Sequence, residues 1–351
     1  APGNRGGLID LAPASAWAGQ LAAFAEALGS GEDELLLRQG ACLAPRLQRW
    51  SAPRADAARL DLSSEGVWLI TGGLGGLGPA IAQRLARRGL KDILLVSRRG
   101  DLTAEQRAAI EAQGGKPEVC HGDVSDGTFL AALLARLAAE GRKLTGVIHA
   151  AGQLDDGLLQ DLTPARFAAV WASKVTAAGW LDRLTETLAL SHFVLFSSAV
   201  SILAPAGQAT HAAANTALAA LAQRRRAAGR PAQVIHWGAW SQIGAAGQVA
   251  ERAEQEGFAA ITPSAGLDGL ETAMLSNEAS LVMLPAVWAT YLTRHPEDRT
   301  RSLFAAQRWR LAQAQQGDPG GDDPGADDGK PITIGYGQTF YTPGLPPFLP
   351  P

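Results

Sequence analysis

The sequence predicts an α/β fold: a doubly wound parallel sheet of about seven strands with helices on both faces. Three observations predict it. Gly66 to Arg88 reads as a buried strand, a glycine-rich turn and an amphipathic helix. Strand-like and helix-like apolar patterns then alternate to about residue 284. With 46% hydrophobic residues, 351 residues can bury one large domain plus a smaller element.

The net charge is −3, with no basic excess for nucleic acid and no polybasic segment for an anionic membrane. No apolar run approaches the roughly 18 residues that span a bilayer, and no charged-then-apolar leader is recognisable. Cys42 and Cys120 are too few and too far apart for a disulfide framework or a cysteine metal site, which fits a reducing, cytoplasmic setting. The chain opens on Ala1 rather than Met and reads as a piece of a longer polypeptide.

Residues 1–60 stand outside the alternation. Trp17, Leu21, Phe24 and Leu28 recur at helical spacing, a strand-like run centres on Leu35-Leu36-Leu37, and Ser51-Ala52-Pro53 reads as a linker. From Val67 the pattern gives strands at about 67–71, 92–97, 117–120, 145–149, 192–197, 232–237 and 281–284. Helices fall between them at about 77–89, 103–113, 126–139, 164–188, 208–227 and 264–275. Right-handed crossovers make that one parallel sheet, with the ligand crevice at the carboxyl ends of its strands. Arg224-Arg225-Arg226 reads as the solvated end of a helix. The main domain, 61–292, is followed by a helical extension at 293–316 and a linker and tail at 317–351. Gly317 to Gly329 cannot bury a core, and it lacks the spacing and closing Glu of a calcium loop.

The turn Thr71-Gly72-Gly73-Leu74-Gly75-Gly76-Leu77-Gly78 puts glycines where the chain bends sharply and a diphosphate must approach the main chain. The helix after it offers free N–H groups and a positive dipole end. Alone, such a turn could be merely structural; between strand and helix it marks a Rossmann-like dinucleotide site. An NAD site places an acid at the end of the second strand, whereas Ser97-Arg98-Arg99 suits a 2′-phosphate, so NADPH is favoured over ordinary loop charges. Gly122-Asp123-Val124 ends the third strand where an adenine would lie; Asp123 could bind its amino group or cap the next helix. His149-Ala150-Ala151-Gly152 ends the fourth with small residues that let a cofactor pass.

Phe196-Ser197-Ser198 ends the fifth strand, His211 and Asn215 follow on the next helix, and Lys174 lies upstream. With T-G-G-L-G-G-L-G, S-R-R-G, G-D-V, H-A-A-G-Q-L-D-D-G-L-L, K-V, F-S-S-A and G-Q-A-T-H-A-A-A-N, residues 66–288 resemble the ketoreductase domain of modular type I polyketide synthases, a branch of the short-chain dehydrogenase/reductases. Residues 1–60 resemble the latter part of the structural subdomain that precedes it. The resemblance implies NADPH-dependent reduction of a β-ketoacyl thioester carried on an acyl carrier protein, with other synthase domains as partners. It gives Ser198 a hydrogen bond to the substrate carbonyl, and Lys174 and Asn215 support of a proton relay. The family's proton-donating tyrosine is replaced here by His211.

No neighbour supplies that tyrosine, since the three are Tyr291, Tyr336 and Tyr341. A lysine ammonium favours a phenolate but disfavours an imidazolium, and neutral imidazole is a poor proton donor. Imidazole also reaches about 2 Å less far, where 1 Å of misplacement can cost roughly 100-fold. The same resemblance links Leu154-Asp155-Asp156 to the D-hydroxy (B-type) product, with Leu203 where the opposite type carries tryptophan; as mere residues, the aspartates could cap the next turn. The six histidines lack ligand spacing, so no metal is expected, and without a G-x-S-x-G elbow Ser198 is not a hydrolase nucleophile. The alternative is a redox-impaired pseudo-ketoreductase with a structural or docking role.

Overall fold

The structure, a computed structural model, describes residues 8–11, 21–30, 32–38, 41–50, 60–241, 251, 253–276, 278–299, 301–315 and 333–335. Trp17, the Ser51–Pro53 linker and the Gly317–Gly329 stretch lie outside the described residues.

The first sixty residues contribute β1 (Leu8–Asp10), α1 (Leu21–Gly29), β2 (Glu34–Arg38), β3 (Ala41–Leu43) and β4 (Gln48–Arg49). Strand β2 pairs parallel with β1 and antiparallel with β3, and buries Leu35 and Leu37. Arg46 ties this small sheet down through Glu32, Nη1 to Oε2 2.9 Å.

The main domain follows as β5 (Val67–Thr71), α2 (Gly78–Arg87), β6 (Asp92–Ser97), α3 (Ala104–Glu111), β7 (Lys116–His121), α4 (Gly127–Ala139) and β8 (Leu144–His149). Next come α5 (Pro164–Trp171), α6 (Ala177–Leu184), β9 (His192–Ser198), α7 (Val200–Leu203), α8 (Ala209–Ala227), β10 (Gln233–Trp237), α9 (Pro263–Leu275) and β11 (Ser280–Met283). Then α10 (Trp288–Arg294), α11 (Ala305–Gln315) and β12 (Thr333–Gly335) complete the described chain. The sheet order is β4-β12-β11-β10-β9-β8-β5-β6-β7, and the seven strands from β7 to β11 are parallel, as the alternation predicts. Chain order reverses between β5 and β8, which opens a crevice at their carboxyl ends.

Side chains of β5 alternate between the two faces. Trp68 and Ile70 pack with Ile81, Leu85, Ile110, Leu270 and Met274 under α2, α3 and α9. Val67 and Leu69 pack with Leu130, Leu133, Leu181, Leu218 and Leu221 under α4, α6 and α8. A third cluster joins Leu47 to Trp288, Tyr291, Leu303 and Phe304, so the N-terminal segment and the C-terminal helices share one core.

The seven expected parallel strands are all present, and β12, pairing antiparallel with β11 and β4, extends the sheet to nine with residues 333–335. Two expectations need correction. The helix expected over 164–188 is broken by a π-helical turn at Ala172–Thr176 between α5 and α6; the wider turn carries Lys174, whose side chain is buried. Arg225 is not solvated. It is 0% exposed, bonds Asp182 at 2.8 Å and stacks 4.1 Å over Phe193, whereas Arg224 stays largely exposed while reaching the same carboxylate at 3.0 Å. Among the described residues no helix is long and apolar enough to cross a membrane.

Candidate active site

Gly72 follows β5 with φ +68°, and a Cβ there would lie 2.9 Å from the Ala150 carbonyl and the Ala151 main chain, so only glycine lets the turn abut the end of β8. Bonds from Gly73 N to Val96 O (3.0 Å) and Gly75 N to Gly72 O (2.8 Å) fix the rest, leaving Gly75 and Gly76 exposed at the tip and Leu74 against the core. Helices α3, α4, α5 and α9 are capped by Thr103, Asp126, Thr163 and Thr262, but α2 starts at Leu77 with no side-chain cap. Gly78 N already donates to Gly75 O at 3.1 Å and Pro79 has no N–H, so it is the exposed glycines of the turn and the positive end of the α2 dipole, rather than a row of free helical N–H groups, that fit the diphosphate of a dinucleotide.

Arg98 and Arg99 are exposed after β6, and the Ser97 hydroxyl donates to the Arg99 carbonyl at 3.0 Å. Asp123 accepts from Ser125 N at 2.8 Å and Ser125 Oγ at 2.7 Å; these bonds, with Arg98 nearby, hold its carboxyl below the usual range. It does not cap α4, a role Asp126 takes. Val124 beside it is buried.

His149 plays a part that its short sequence motif does not show. Its Nε2 lies 2.9 Å from the Lys174 carbonyl, which can only accept, so Nε2 carries the ring proton and Nδ1 accepts from the Thr71 hydroxyl at 2.7 Å. The Thr71 oxygen in turn takes the Ala151 N–H at 3.4 Å. The chain of bonds ties the glycine-rich turn to the π-turn. Lys174 Nζ donates to Phe196 O at 3.1 Å, and burial lowers its pKa to about 8. Gly152 leaves it room: a Cβ there would be 2.9 Å from Lys174 Cε and 3.2 Å from Nζ.

His211 and Asn215 are one turn apart on α8, with Asn215 Nδ2 donating to His211 O at 2.8 Å. Asn215 Oδ1 and His211 Nδ1 are buried without a protein partner. Burial, reinforced by Lys174 and opposed by Asp156, lowers the His211 pKa to about 4, so the ring is neutral at pH 7. Ser198 lies two residues past Phe196, which holds Lys174, and one past Ser197, whose hydroxyl donates to Asn215 O at 3.2 Å. Lys174 and Asn215 thus both meet the end of β9, at Phe196 and Ser197, immediately before Ser198, and His211 lies one turn before Asn215 on α8.

Asp155 and Asp156 do not cap the following turn. Arg166 binds the Asp155 carboxylate, Nε to Oδ1 2.9 Å, and Thr210 donates to its carbonyl at 3.1 Å. Asp156 accepts from Gln208 Nε2 at 2.7 Å. These bonds hold the Leu154–Asp156 segment against the start of α8, with Leu154 half exposed. Leu203 ends α7 just before Ala204, which has φ +49°.

Burial also lowers the pKa values of His149 and His236 to about 4, from 6.5. With His211, three folded-state histidines stay neutral where the unfolded chain takes up protons. Stability present above pH 6.5 is therefore expected to drain away as pH falls towards 4. A urea midpoint measured at pH 7 and at pH 5 checks this, and a flat midpoint contradicts it.

The KR domain family model matches residues 66–242. Polyketide synthase GfsA of Streptomyces halstedii is 38% identical over 324 residues, covering 90% of this chain and 4% of that protein. Erythronolide synthase EryA3 of Saccharopolyspora erythraea is 35% identical over 308 residues, covering 86% of this chain and 10% of that one. The ketoreductase from the first module of phoslactomycin biosynthesis in Streptomyces sp. HK803 superposes with TM-score 0.75 at 34% identity, covering 86% of this chain and 70% of that structure. A structure of A-type ketoreductases from a modular polyketide synthase gives TM-score 0.78 at 35% identity, covering 88% and 66%. Family model, relatives and fold agree: the chain belongs to the ketoreductase domains of modular type I polyketide synthases.

Proposed function

We propose that the domain reduces a β-ketoacyl thioester, presented by an acyl carrier protein of the same synthase, to the D-β-hydroxyacyl thioester with NADPH. One observation carries this reading: two buried polar atoms on α8, His211 Nδ1 and Asn215 Oδ1, have no protein partner, and the buried Lys174 ammonium lies near enough for its charge to act on the His211 ring. Packing alone leaves such groups paired, so these await a ligand or water.

The exposed glycines of the turn before α2, with the positive end of its dipole, would hold the diphosphate, and Arg98 and Arg99 the 2′-phosphate. Held there, the cofactor would supply the hydride for the carbonyl carbon. Ser198 donates a hydrogen bond to the carbonyl oxygen, keeping its proton, and stabilises the charge that develops there. Neutral His211 donates an N–H to the same oxygen. Passing that proton on would leave an imidazolate unless the other ring nitrogen is reprotonated, and the nearby acid matched to pH 7 is the Lys174 ammonium, at about 8. Asn215 Oδ1 orients a water between them. Lysine ends as the amine, the substrate as the alcohol, and bulk water restores the ammonium.

The B-type assignment rests on Leu154-Asp155-Asp156, clamped by Arg166 and Thr210 beside His211. A second reading, the redox-impaired pseudo-ketoreductase, is favoured by the low His211 pKa, which makes the imidazolium scarce at pH 7.

The test supplies NADPH or NADH with a β-ketoacyl thioester, free and on its carrier protein, and analyses product configuration. Consumption of NADPH with formation of the D-alcohol is expected. Arg98→Ala with Arg99→Ala should weaken the preference for NADPH by about tenfold or more, the worth of one lost charge-assisted hydrogen bond. NADPH binding without turnover supports the second reading; no binding overturns the cofactor assignment.

A further inference from the structure

His236 is fully inside the sheet, on β10, and touches neither the crevice nor its proposed ligands; it is 4% exposed. It sits in register with Ser197 of β9 and Val282 of β11. Its Nδ1 lies 2.7 Å from Ser201 Oγ and 3.1 Å from Ser197 Oγ. Each of these hydroxyls has one proton and has already committed it: Ser201 Oγ donates to the Ser198 carbonyl at 2.7 Å, and Ser197 Oγ donates to the Asn215 carbonyl at 3.2 Å. Both serine oxygens can therefore only accept from the ring, so Nδ1 carries the proton. Nε2 is then the acceptor, and the Ser280 hydroxyl, 3.1 Å away on β11, is its donor. Burial keeps the ring neutral, which preserves one donor and one acceptor.

We propose that His236 is a positioning residue: one imidazole N–H, shared by Ser197 and Ser201, sets the main-chain carbonyls of Ser198 and Asn215 in a fixed relation. The inference rests on the proposed roles of Ser198 and Asn215. It goes beyond them in naming what holds two residues, seventeen apart in sequence and on different elements, at one spacing around the reacting carbonyl. His236 moves no proton to substrate. Its effect passes through geometry, where displacements of about 1 Å are costly.

The variants are His236→Phe, which keeps a ring of similar size without the donor, and His236→Asn, whose amide nitrogen takes the place of Nδ1. Ser201→Ala removes the Ser201-mediated branch to Ser198 and leaves the ring's direct interaction with the Ser198 main chain. Each is assayed in the chain as given and in the His211→Tyr background, so low basal turnover leaves the comparison readable. His236→Phe is expected to lower kcat about tenfold or more while KM for NADPH stays within about twofold, and His236→Asn to recover most of the loss. Ser201→Ala should give part of the same loss, and it carries the test should His236→Phe fail to fold. Full kcat in His236→Phe or Ser201→Ala, in a protein that Ser198→Ala silences, overturns the positioning role alone. Equal damage from Asn and Phe also overturns it, as packing would then be all that matters. Full activity in Ser198→Ala would instead sink the reading of the site and the positioning role with it.

Discussion

Ser198→Ala is expected to lower kcat by about 100- to 1000-fold, the cost of removing one donor to a developing oxyanion, while NADPH binding is unchanged. The Ser198 oxygen accepts the Val200 N–H at 3.3 Å, which occupies a lone pair and leaves the hydroxyl proton to be donated. Neighbouring serines cannot take over. Ser197 has committed its proton to Asn215 O, and Ser201 has committed its own to Ser198 O. Steady-state kinetics beside a nicotinamide-fluorescence titration check both halves; a variant with unchanged kcat would remove Ser198 from the chemistry.

Gly152→Ala is expected to be nearly as damaging, for a different reason. The new methyl would lie 2.9 Å from Lys174 Cε, closer than carbon atoms approach, and 3.2 Å from Nζ. Gly152 is exposed and the clash falls on the far end of a flexible side chain, so the fold tolerates it. The lysine must swing, and its ammonium leaves the Phe196 carbonyl that it meets at 3.1 Å. With a displacement of roughly 1 Å, kcat should fall about 100-fold while the melting temperature shifts little. Wild-type turnover in this variant would show that the ammonium is not needed where it lies.

The parallel sheet was legible because its strands are short apolar runs closed by glycine or turn residues. The second was expected at 92–97 and is Asp92–Ser97; the third was expected at 117–120 and is Lys116–His121. The glycine-rich turn was legible for the same local reason. What stayed hidden depends on contacts across the sheet. The pairing of Thr333–Gly335 with β4 joins segments nearly the whole chain apart and leaves no periodic trace in either. The π-turn at Ala172–Thr176 differs from an α-helix by one residue per turn, too little to disturb the apolar pattern that made 164–188 look continuous. Arg225 was hidden by its neighbours, since a run of three arginines reads as solvent-facing although a helix turns the middle one towards Asp182. His149 and His236 looked like scattered histidines. Their position at or near strand ends beside site motifs was the available signal, and only the bonds to Thr71, Lys174, Ser197 and Ser201 give it meaning.

The central claim is that this chain, with His211 in place of tyrosine, still completes the reduction by drawing its proton from Lys174. The most direct measurement is the pH profile of kcat for the chain and for His211→Tyr, with NADPH and a β-ketoacyl thioester. Turnover by the chain is expected, falling as pH rises through about 8 because the Lys174 ammonium is lost. A chain that binds NADPH yet stays silent at every pH, while His211→Tyr turns over, would contradict the claim and mark a lapsed reductase with a preserved pocket.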